Sequence, residues 1–162
     1  MTAKTLDNMR WISHRGNLKG KTDKENHPDQ VNYCLEHGFD VEVDVWYIDE
    51  EFYLGHDTPQ YKVDIDFIQN PGLWLHCKDI DSAMLLRGFD VNSFTIDKDD
   101  YTITTKNWLW LSPTYKYAVK NAICVMPEDT RWQFSSNHLL DFAGVCTDNI
   151  YHYQDYVTNL RR

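Results

Sequence analysis

The chain has 162 residues, 42% of them hydrophobic and 14% aromatic, which predicts a single domain over residues 1–162 with enough apolar side chains for a core. Sixteen basic against 25 acidic residues give a net charge of −9, which excludes the basic surface that nucleic-acid binding requires. No apolar run reaches the ~20 residues of a membrane span, and residues 1–10 lack the apolar segment of a secretory signal, so we expect neither feature.

The chain begins with a predicted β-α-β unit. Residues 10–13 are predicted as a strand that presents His14 at its C-terminal end, and a polar loop follows. The sequence Asn26-His27-Pro28-Asp29 combines a capping-type residue with a proline, which is typical of a helix start, and Gly38 is expected to end this helix. A second strand at residues 39–46 then follows directly, which predicts a parallel strand pair.

This second strand has the most informative pattern in the sequence. Val41, Val43 and Val45 alternate with Glu42 and Asp44, and side chains two residues apart on a strand point to the same face. The two carboxylates are therefore predicted to lie side by side. Because such carboxylates repel each other unless a cation, a proton or a basic side chain lies between them, a hard divalent cation is the simplest occupant.

The next elements bring further polar side chains towards the same strand end. Residues 48–51 have the polarity of a tight turn, and residues 52–54 are predicted to return as a short strand that places His56 near Asp44. A third strand at residues 73–78 places His76 and Lys78 on one face.

The remaining elements continue the alternation of strands and helices. Strands are predicted at residues 92–96, 108–111, 122–126 and 144–147, and residues 101–105 are β-prone. Helices are predicted at 65–68, after Asp79 or Asp81, at 139–142 and at 150–160, and a loop at 58–61. This order predicts a mostly parallel sheet, and seven candidate barrel strands, besides the short return at residues 52–54, suggest a (β/α) barrel. Such barrels rarely fall below ~200 residues, so we expect a trimmed or incompletely closed barrel with several helices missing between residues 97 and 136.

Four short motifs carry a family resemblance. His14-Arg15-Gly16, Glu25-Asn26, residues 38–45 and His56-Asp57 match, in order and spacing, the signature of the glycerophosphodiester phosphodiesterase family. That family belongs to the phosphatidylinositol-phospholipase-C-like phosphodiesterases, and a weaker likeness continues at residues 75–78 and 144–148. The resemblance implies a TIM-type (β/α) barrel that hydrolyses a small phosphodiester with the help of one divalent cation (Mg²⁺, Ca²⁺ or Mn²⁺).

The resemblance also implies roles for individual residues. His14 and His56 match the pair that serves as general base and general acid, while a hydroxyl of the substrate attacks phosphorus and a cyclic phosphate forms. Glu42 and Asp44 match metal ligands, and His76 occupies the position of a third. Arg15 and Lys78 match phosphate contacts, and Glu25, Asn26 and Asp57 match supporting residues.

His76 departs from the family pattern, which has an acidic third metal ligand two residues before the lysine. Three explanations stay open: the imidazole binds the metal and favours a softer ion than Ca²⁺, two carboxylates and water hold the metal, or the metal site is weakened. The short chain and the missing acid also support an alternative function, a catalytically reduced module that binds phosphate or a polyol. A non-catalytic assembly protein is a third option, without a positive sequence feature.

The other candidate residues are assigned more ordinary roles. The cysteines show no CxxC spacing, so buried free thiols in a reducing cytoplasm are expected rather than a zinc site. An acidic cluster is expected in a solvated loop, three aromatic residues are expected mainly in the core, and one glutamate at a strand end is a weak site candidate. The cysteines are Cys34, Cys77, Cys124 and Cys146, and the acidic cluster consists of Asp97, Asp99 and Asp100. The aromatic residues are Trp108, Trp110 and Tyr115, and the glutamate is Glu128.

Overall fold

A computed structural model of the protein describes residues 8–162. Residues 1–7, which make up most of the segment considered above for a secretory signal, lie outside the described residues. The strands are β1 Arg10–His14, β2 Asp40–Ile48, β3 Glu51–Leu54, β4 Tyr61–Val63, β5 Leu73–Cys77, β6 Asn92–Phe94, β7 Tyr101–Ile103, β8 Leu109–Leu111, β9 Ile123–Val125 and β10 Gly144–Thr147. The helices are α1 Pro28–Glu36, α2 Ile65–Ile68, α3 Ile80–Leu86 and α4 Ile150–Leu160, with 3-10 turns at Pro113–Tyr115 and Ser136–Asp141.

All ten strands belong to one mixed sheet. Seven of them run parallel, in the order β6-β5-β2-β1-β10-β9-β8. The other three are antiparallel additions: β3 pairs with the C-terminal half of β2, β4 pairs with β3, and β7 pairs with β8. The expected mostly parallel α/β sheet is confirmed.

The sheet is curled but open. Side chains from six of the parallel strands form one apolar cluster on its concave face, consisting of Ile12, Trp74, Phe94, Trp110, Ile123 and Cys146. The rings of Phe94 and Trp110 lie 4.6 Å apart although their strands, β6 and β8, do not pair with each other. Instead, the loop after β7 bonds to β6, where the Thr105 amide donates to the Ser93 carbonyl at 2.9 Å. This half-barrel is compatible with the expected trimmed barrel.

The shortening of the fold falls where it was expected. Across residues 97–136, all of which the structure describes, the connections contain one 3-10 turn and no α-helix. None of the helices between residues 8 and 162 is long and apolar enough to cross a membrane.

The convex face of β2 explains why its carboxylates point inward. Val41, Val43 and Val45 are fully buried in the cluster that also contains α1 and α3 side chains, among them Val31 and Leu86. Because successive side chains alternate across a strand, the residues between these valines must face the concave side.

Two local features differ from the sequence-based prediction. α1 is capped by His27 and not by Asn26, whose left-handed backbone (φ 63°) is unlike the extended conformation of a capping residue. The loop predicted over residues 58–61 is followed at once by β4, a three-residue strand that pairs only with the short β3 and is too short to show a period.

Candidate functional site

The candidate site lies at the C-terminal ends of four adjacent parallel strands, β5, β2, β1 and β10. His14 is the last residue of β1, Glu42 and Asp44 lie in β2, His76 lies near the end of β5, and Asp148 follows β10 directly. Strand register places His14 opposite Glu42 and Asp44 opposite His76. In parallel α/β folds this end of the sheet is where ligands bind.

The carboxylate pair is almost completely buried. Glu42 is 3% exposed and Asp44 is fully buried. Burial and the neighbouring Asp44 charge raise the pKa of Glu42. Burial alone would also raise the pKa of Asp44, but the His76 ring and the Arg15 guanidinium outweigh it and lower this pKa to about 2. The pair therefore carries at least one stable negative charge in a region with little water.

Two oxygens of this pair have no hydrogen-bond partner in the described part of the chain, Oε2 of Glu42 and Oδ1 of Asp44. Buried polar atoms are almost always satisfied, so two orphaned oxygens in one pocket require an explanation. The nitrogens near Asp44 leave its Oδ1 without an aligned donor. Nδ1 of His76 lies 3.1 Å and Nζ of Lys78 lies 3.9 Å from Oδ1, and Nε of Arg15 lies 3.1 Å from the other oxygen, Oδ2.

Asn26 holds Asp44 from behind. Its amide Nδ2 donates to Oδ2 of Asp44, and its Oδ1 accepts from the Asp44 backbone amide, both at 2.9 Å. The left-handed backbone of Asn26 brings the side chain round to Asp44, and the Asn26 amide donates to the Arg15 carbonyl. The predicted supporting role of Asn26 thus has a definite geometry.

Glu25, the neighbour of Asn26, faces a different part of the site. Its Oε2 accepts from the Asn17 side chain at 2.9 Å and lies 3.7 Å from Arg15. Glu25 therefore helps to fix the Arg15 guanidinium.

The orientation of His76 is fixed by the backbone. Its Nε2 lies 3.1 Å from the carbonyl oxygen of Ile96, which only accepts hydrogen bonds, so Nε2 carries the proton. The ring also stacks on Phe94, with 5.2 Å between ring centroids and 5° between planes. Nδ1 consequently faces the carboxylates, 3.1 Å from Oδ1 of Asp44 and 3.8 Å from Oε1 of Glu42.

His14 is held by Asp148, a residue for which no role was predicted from the sequence. Its Nδ1 donates to Oδ1 of Asp148 at 2.7 Å, and its Nε2 lies 3.9 Å from Oε2 of Glu42. Burial by itself lowers the pKa of His14, but the Asp148 hydrogen bond and the Glu42 charge outweigh burial and raise it. The protonated form of His14 is therefore favoured in the fold.

Asp148 is itself positioned by two side chains. Asn17 donates to its carboxylate at 2.9 Å, and Glu128 accepts from its backbone amide at 2.9 Å. Glu128 also accepts from the buried hydroxyl of Thr147. The sequence did contain a signal for Asp148 as a site residue, because Asp148 follows a predicted strand and His14 lies at the end of another. The pairing of β1 with β10 was needed to bring the two residues together.

His56 lies at the mouth of the site and not in its buried part. The Gly55 amide donates to the Asp44 carbonyl at 3.1 Å, so the hairpin brings this segment to the strand end as predicted. The His56 ring is 45% exposed and pairs with Asp57, with 2.7 Å between Nδ1 and Oδ1. Together with Arg15 it lines a cavity of about 440 Å³.

The other candidates have ordinary surroundings. The four cysteines are free and buried, the acidic cluster at residues 97–100 is exposed, and Trp110 belongs to the core with Trp108 packed against it. The expectation of a core position is wrong for Tyr115, which ends a 3-10 turn and is exposed.

No family model, no curated protein and no solved structure matches the chain. The roles inferred from the family resemblance therefore stay predictions.

Proposed function

We propose that this protein is a metal-dependent phosphodiester hydrolase of the glycerophosphodiester phosphodiesterase type, on a trimmed TIM-type barrel. One observation carries the proposal: a buried carboxylate pair with unpartnered oxygens is surrounded by Arg15, Lys78 and two oriented histidines at the C-terminal ends of parallel strands. This combination brings together groups for binding a cation, binding an anion and transferring protons.

The residues present fit a divalent cation. Glu42, Asp44 and Nδ1 of His76 offer three ligand atoms within 4.8 Å of one another, and two of the nearby carboxylate oxygens lack a hydrogen bond. Mg²⁺, Ca²⁺ and Mn²⁺ all accept oxygen ligands. A cation bound there supplies positive charge that stabilises the negative charge developing on phosphate oxygens during the reaction.

His14 acts as the general base in this proposal. Because Nδ1 donates its proton to Asp148, a neutral His14 has its lone pair on Nε2, on the side of the ring that faces Glu42. Nε2 takes the proton of the substrate hydroxyl as that oxygen forms its bond to phosphorus. Asp148 keeps the ring in this tautomer and stabilises the imidazolium that results.

His56 acts as general acid at the open side of the site. The phosphorus–oxygen bond to the leaving alcohol breaks as His56 gives that oxygen a proton, which releases an alcohol and a cyclic phosphate. Hydrolysis is completed when water adds to phosphorus and the bond from phosphorus to the former substrate hydroxyl breaks, which gives a phosphate monoester. Its exposure suits contact with a leaving group that must depart into solvent. Arg15 and Lys78 contribute positive charge for the phosphate.

The exposure of His56 also supports a second candidate function. A ring that is half exposed and paired with the neighbouring Asp57 has no contact with the carboxylate pair. A module that binds phosphate or a polyol without turnover would need the buried residues and not His56. The two candidates differ in one measurable property, which is release of the alcohol.

The test uses a chromogenic substrate, the p-nitrophenyl diester of glycerol phosphate, which has a hydroxyl beside the phosphate. Bis(p-nitrophenyl) phosphate lacks that hydroxyl and serves as the control substrate. We expect release of p-nitrophenol from the glycerol diester with Mg²⁺, Ca²⁺ or Mn²⁺, none with EDTA, and little from the control substrate. Tight binding of glycerol phosphate without any release would favour the binding module.

A substitution in the carboxylate pair separates metal binding from chemistry. Asp44→Asn removes a charge from the proposed ligand set, so we expect a higher metal concentration for half-maximal rate and partial recovery in excess metal. Asp155→Asn is the matched control, because Asp155 is exposed on α4. An unchanged metal requirement in Asp44→Asn would contradict the proposed ligand set.

A further inference from the structure

We propose that His76 makes this centre selective for a first-row transition-metal cation such as Mn²⁺ or Co²⁺ over Mg²⁺ and Ca²⁺. The inference rests on the metal centre of the proposed function and goes beyond it by naming the class of metal and the residue that selects it. Three observations carry it: the direction of the His76 ring, the unpartnered buried oxygens and the charge of the ligand set.

The first observation is the locked ring. Nε2–H of His76 donates to the Ile96 carbonyl, and Phe94 stacks flat against the ring, so rotation about the ring axis would break one contact and disturb the other. Histidines that bind metals usually donate their other ring N–H to a carbonyl or carboxylate in this way. The fold thus points Nδ1 at the carboxylates, and a neutral ring presents its lone pair there.

The second observation is that this lone pair faces acceptors. Nδ1 of His76 lies 3.1 Å from Oδ1 of Asp44, and this oxygen has no aligned hydrogen bond although its residue is fully buried. Oε2 of Glu42 is unpartnered too, and the Glu42 residue is only 3% exposed. A lone pair and carboxylate oxygens in contact are stable only with a positive charge between them, either a proton or a metal ion.

The third observation is the charge and chemistry of the donors. With a neutral imidazole, the ligand set of Glu42, Asp44 and His76 carries two negative charges. Affinity for hard ions such as Ca²⁺ follows the number of charged oxygen ligands. Imidazole nitrogen instead suits later first-row transition metals, and the affinity of nitrogen- and oxygen-containing sites for these divalent ions rises from Mn²⁺, which also suits oxygen ligands, to Co²⁺. One nitrogen ligand in place of an oxygen therefore moves the preference of the centre towards these ions.

The alternative occupant is a proton. Arg15 and Lys78 already place positive charge near Asp44, and a doubly protonated His76 would complete the neutralisation without a metal. The two occupants differ experimentally, because a protonated site releases its proton to bind a transition metal, whereas a site that does not bind metals is unaffected by adding them.

The first experiment measures binding without substrate. The full chain is freed of metal with EDTA, and MnCl₂, CoCl₂, MgCl₂ and CaCl₂ are titrated by calorimetry. We expect one site that binds Co²⁺ and Mn²⁺ at least about tenfold more tightly than Mg²⁺ or Ca²⁺. Equal affinities for the four ions, or no binding by the folded protein, would overturn the inference.

The second experiment assigns the ligand. In the unmodified protein, Co²⁺ should produce a strongly shifted imidazole N–H resonance that exchanges slowly, because Nε2–H of His76 is bonded to Ile96 and little exposed. This measurement does not depend on a variant that folds. A Co²⁺ complex without such a resonance would show that His76 is not a ligand.

Variants then test selectivity. His76→Ala should weaken Co²⁺ binding at least about tenfold, the lower end of the loss seen when even a supporting residue of a metal site is removed. His76→Asp should narrow or reverse the preference over Mg²⁺ and Ca²⁺. His152→Asp is the matched control, since His152 is exposed on α4, and it should leave all four affinities unchanged.

The outcomes also separate this inference from the proposed function. Selective Co²⁺ and Mn²⁺ binding through His76, without hydrolysis of any diester, would retain the metal centre and refute the hydrolase. Hydrolysis supported equally by Mg²⁺ and Mn²⁺, with His76→Ala binding metal like the unmodified protein, would retain the hydrolase and refute the role of His76.

Discussion

Replacing Asn26 by alanine should destabilise the fold and the metal centre together, because one buried side chain serves both. Asn26 is 1% exposed, and its amide group makes two hydrogen bonds of 2.9 Å to Asp44, one to the carboxylate and one to the backbone amide. Its backbone is also left-handed, at φ 63°. Alanine can replace neither hydrogen bond and tolerates this backbone conformation poorly.

The expected cost follows from these contacts. A hydrogen bond to a charged group contributes about 1.5–3 kcal/mol, and leaving the buried Asp44 amide without an acceptor costs about 1–3 kcal/mol. The left-handed backbone adds about 1 kcal/mol, because alanine lacks the short polar side chain that lets asparagine adopt this conformation. We therefore expect Asn26→Ala to lower the free energy of unfolding by about 3.5–7 kcal/mol. Metal affinity should fall about 10–100-fold, because Asp44 loses the partner that orients it.

Urea denaturation of the metal-free protein measures the first effect, and calorimetric metal titration measures the second. Asn26→Gly keeps the left-handed backbone without strain, so it should recover only about 1 kcal/mol. Asn107→Ala is the matched control, because Asn107 is exposed and has a similar φ of 65°, so its substitution should cost about 1 kcal/mol. A cost for Asn26→Ala no larger than that of Asn107→Ala would refute the reasoning.

Three further predictions concern the histidines, the pH dependence and the thiols. His14→Ala should lower turnover of the glycerol diester by about 10²–10⁴-fold while circular dichroism stays unchanged, and full activity of His14→Ala would show that the base is misassigned. His56→Ala should cause a similar loss with a diester that has an alkyl leaving alcohol, whereas p-nitrophenolate leaves without a proton and should show a smaller effect. Because the fold raises the pKa of His14, protonation of this ring stabilises the fold at pH values below 6.5, the ordinary pKa of histidine. This stabilisation is lost as the pH rises through the pKa that His14 has in the folded protein. Asp148→Asn, which removes the partner of the imidazolium, should therefore cost more stability at pH 6 than at pH 9 in metal-free protein, and an equal cost would contradict the ion pair. Burial raises the pKa of the Cys77 thiol to about 11, so a thiol reagent should react slowly with the native protein. After denaturation the reagent should react with four thiols. A non-reducing mass lower by two hydrogens would instead reveal a disulfide.

Much of the site could be predicted because it depends on strand alternation. The period of β2 places Glu42 and Asp44 on the face opposite three buried valines, and the period of β5 places His76 and Lys78 beside Asp44. These relations need only the strand assignment and the order of neighbouring strands. The same applies to the hairpin after β2, where a polar turn joins two paired strands.

Contacts between distant parts of the chain could not be predicted. Asp148 lies 134 residues after His14 and meets it only because β10 pairs with β1. Asn26 looks like a helix cap in the sequence, and its side chain is used by Asp44 instead, so the capping position moves to His27. In both cases a tertiary hydrogen bond decides the local structure, and no local pattern contains that information.

The position of the opening in the sheet explains how a shortened chain keeps a complete candidate site. The residues proposed for catalysis and metal binding come from β5, β2, β1 and the hairpin that follows β2, whereas the connections without α-helices lie between β6 and β10. The site reaches the open edge of the sheet at one place, the His76 ring. Phe94, the last residue of β6, stacks on this ring, and Ile96, which follows β6, accepts its hydrogen bond. Any widening of the gap between β6 and β8 would therefore reach the proposed metal centre first through His76, the same residue that departs from the phosphodiesterase signature that the chain resembles.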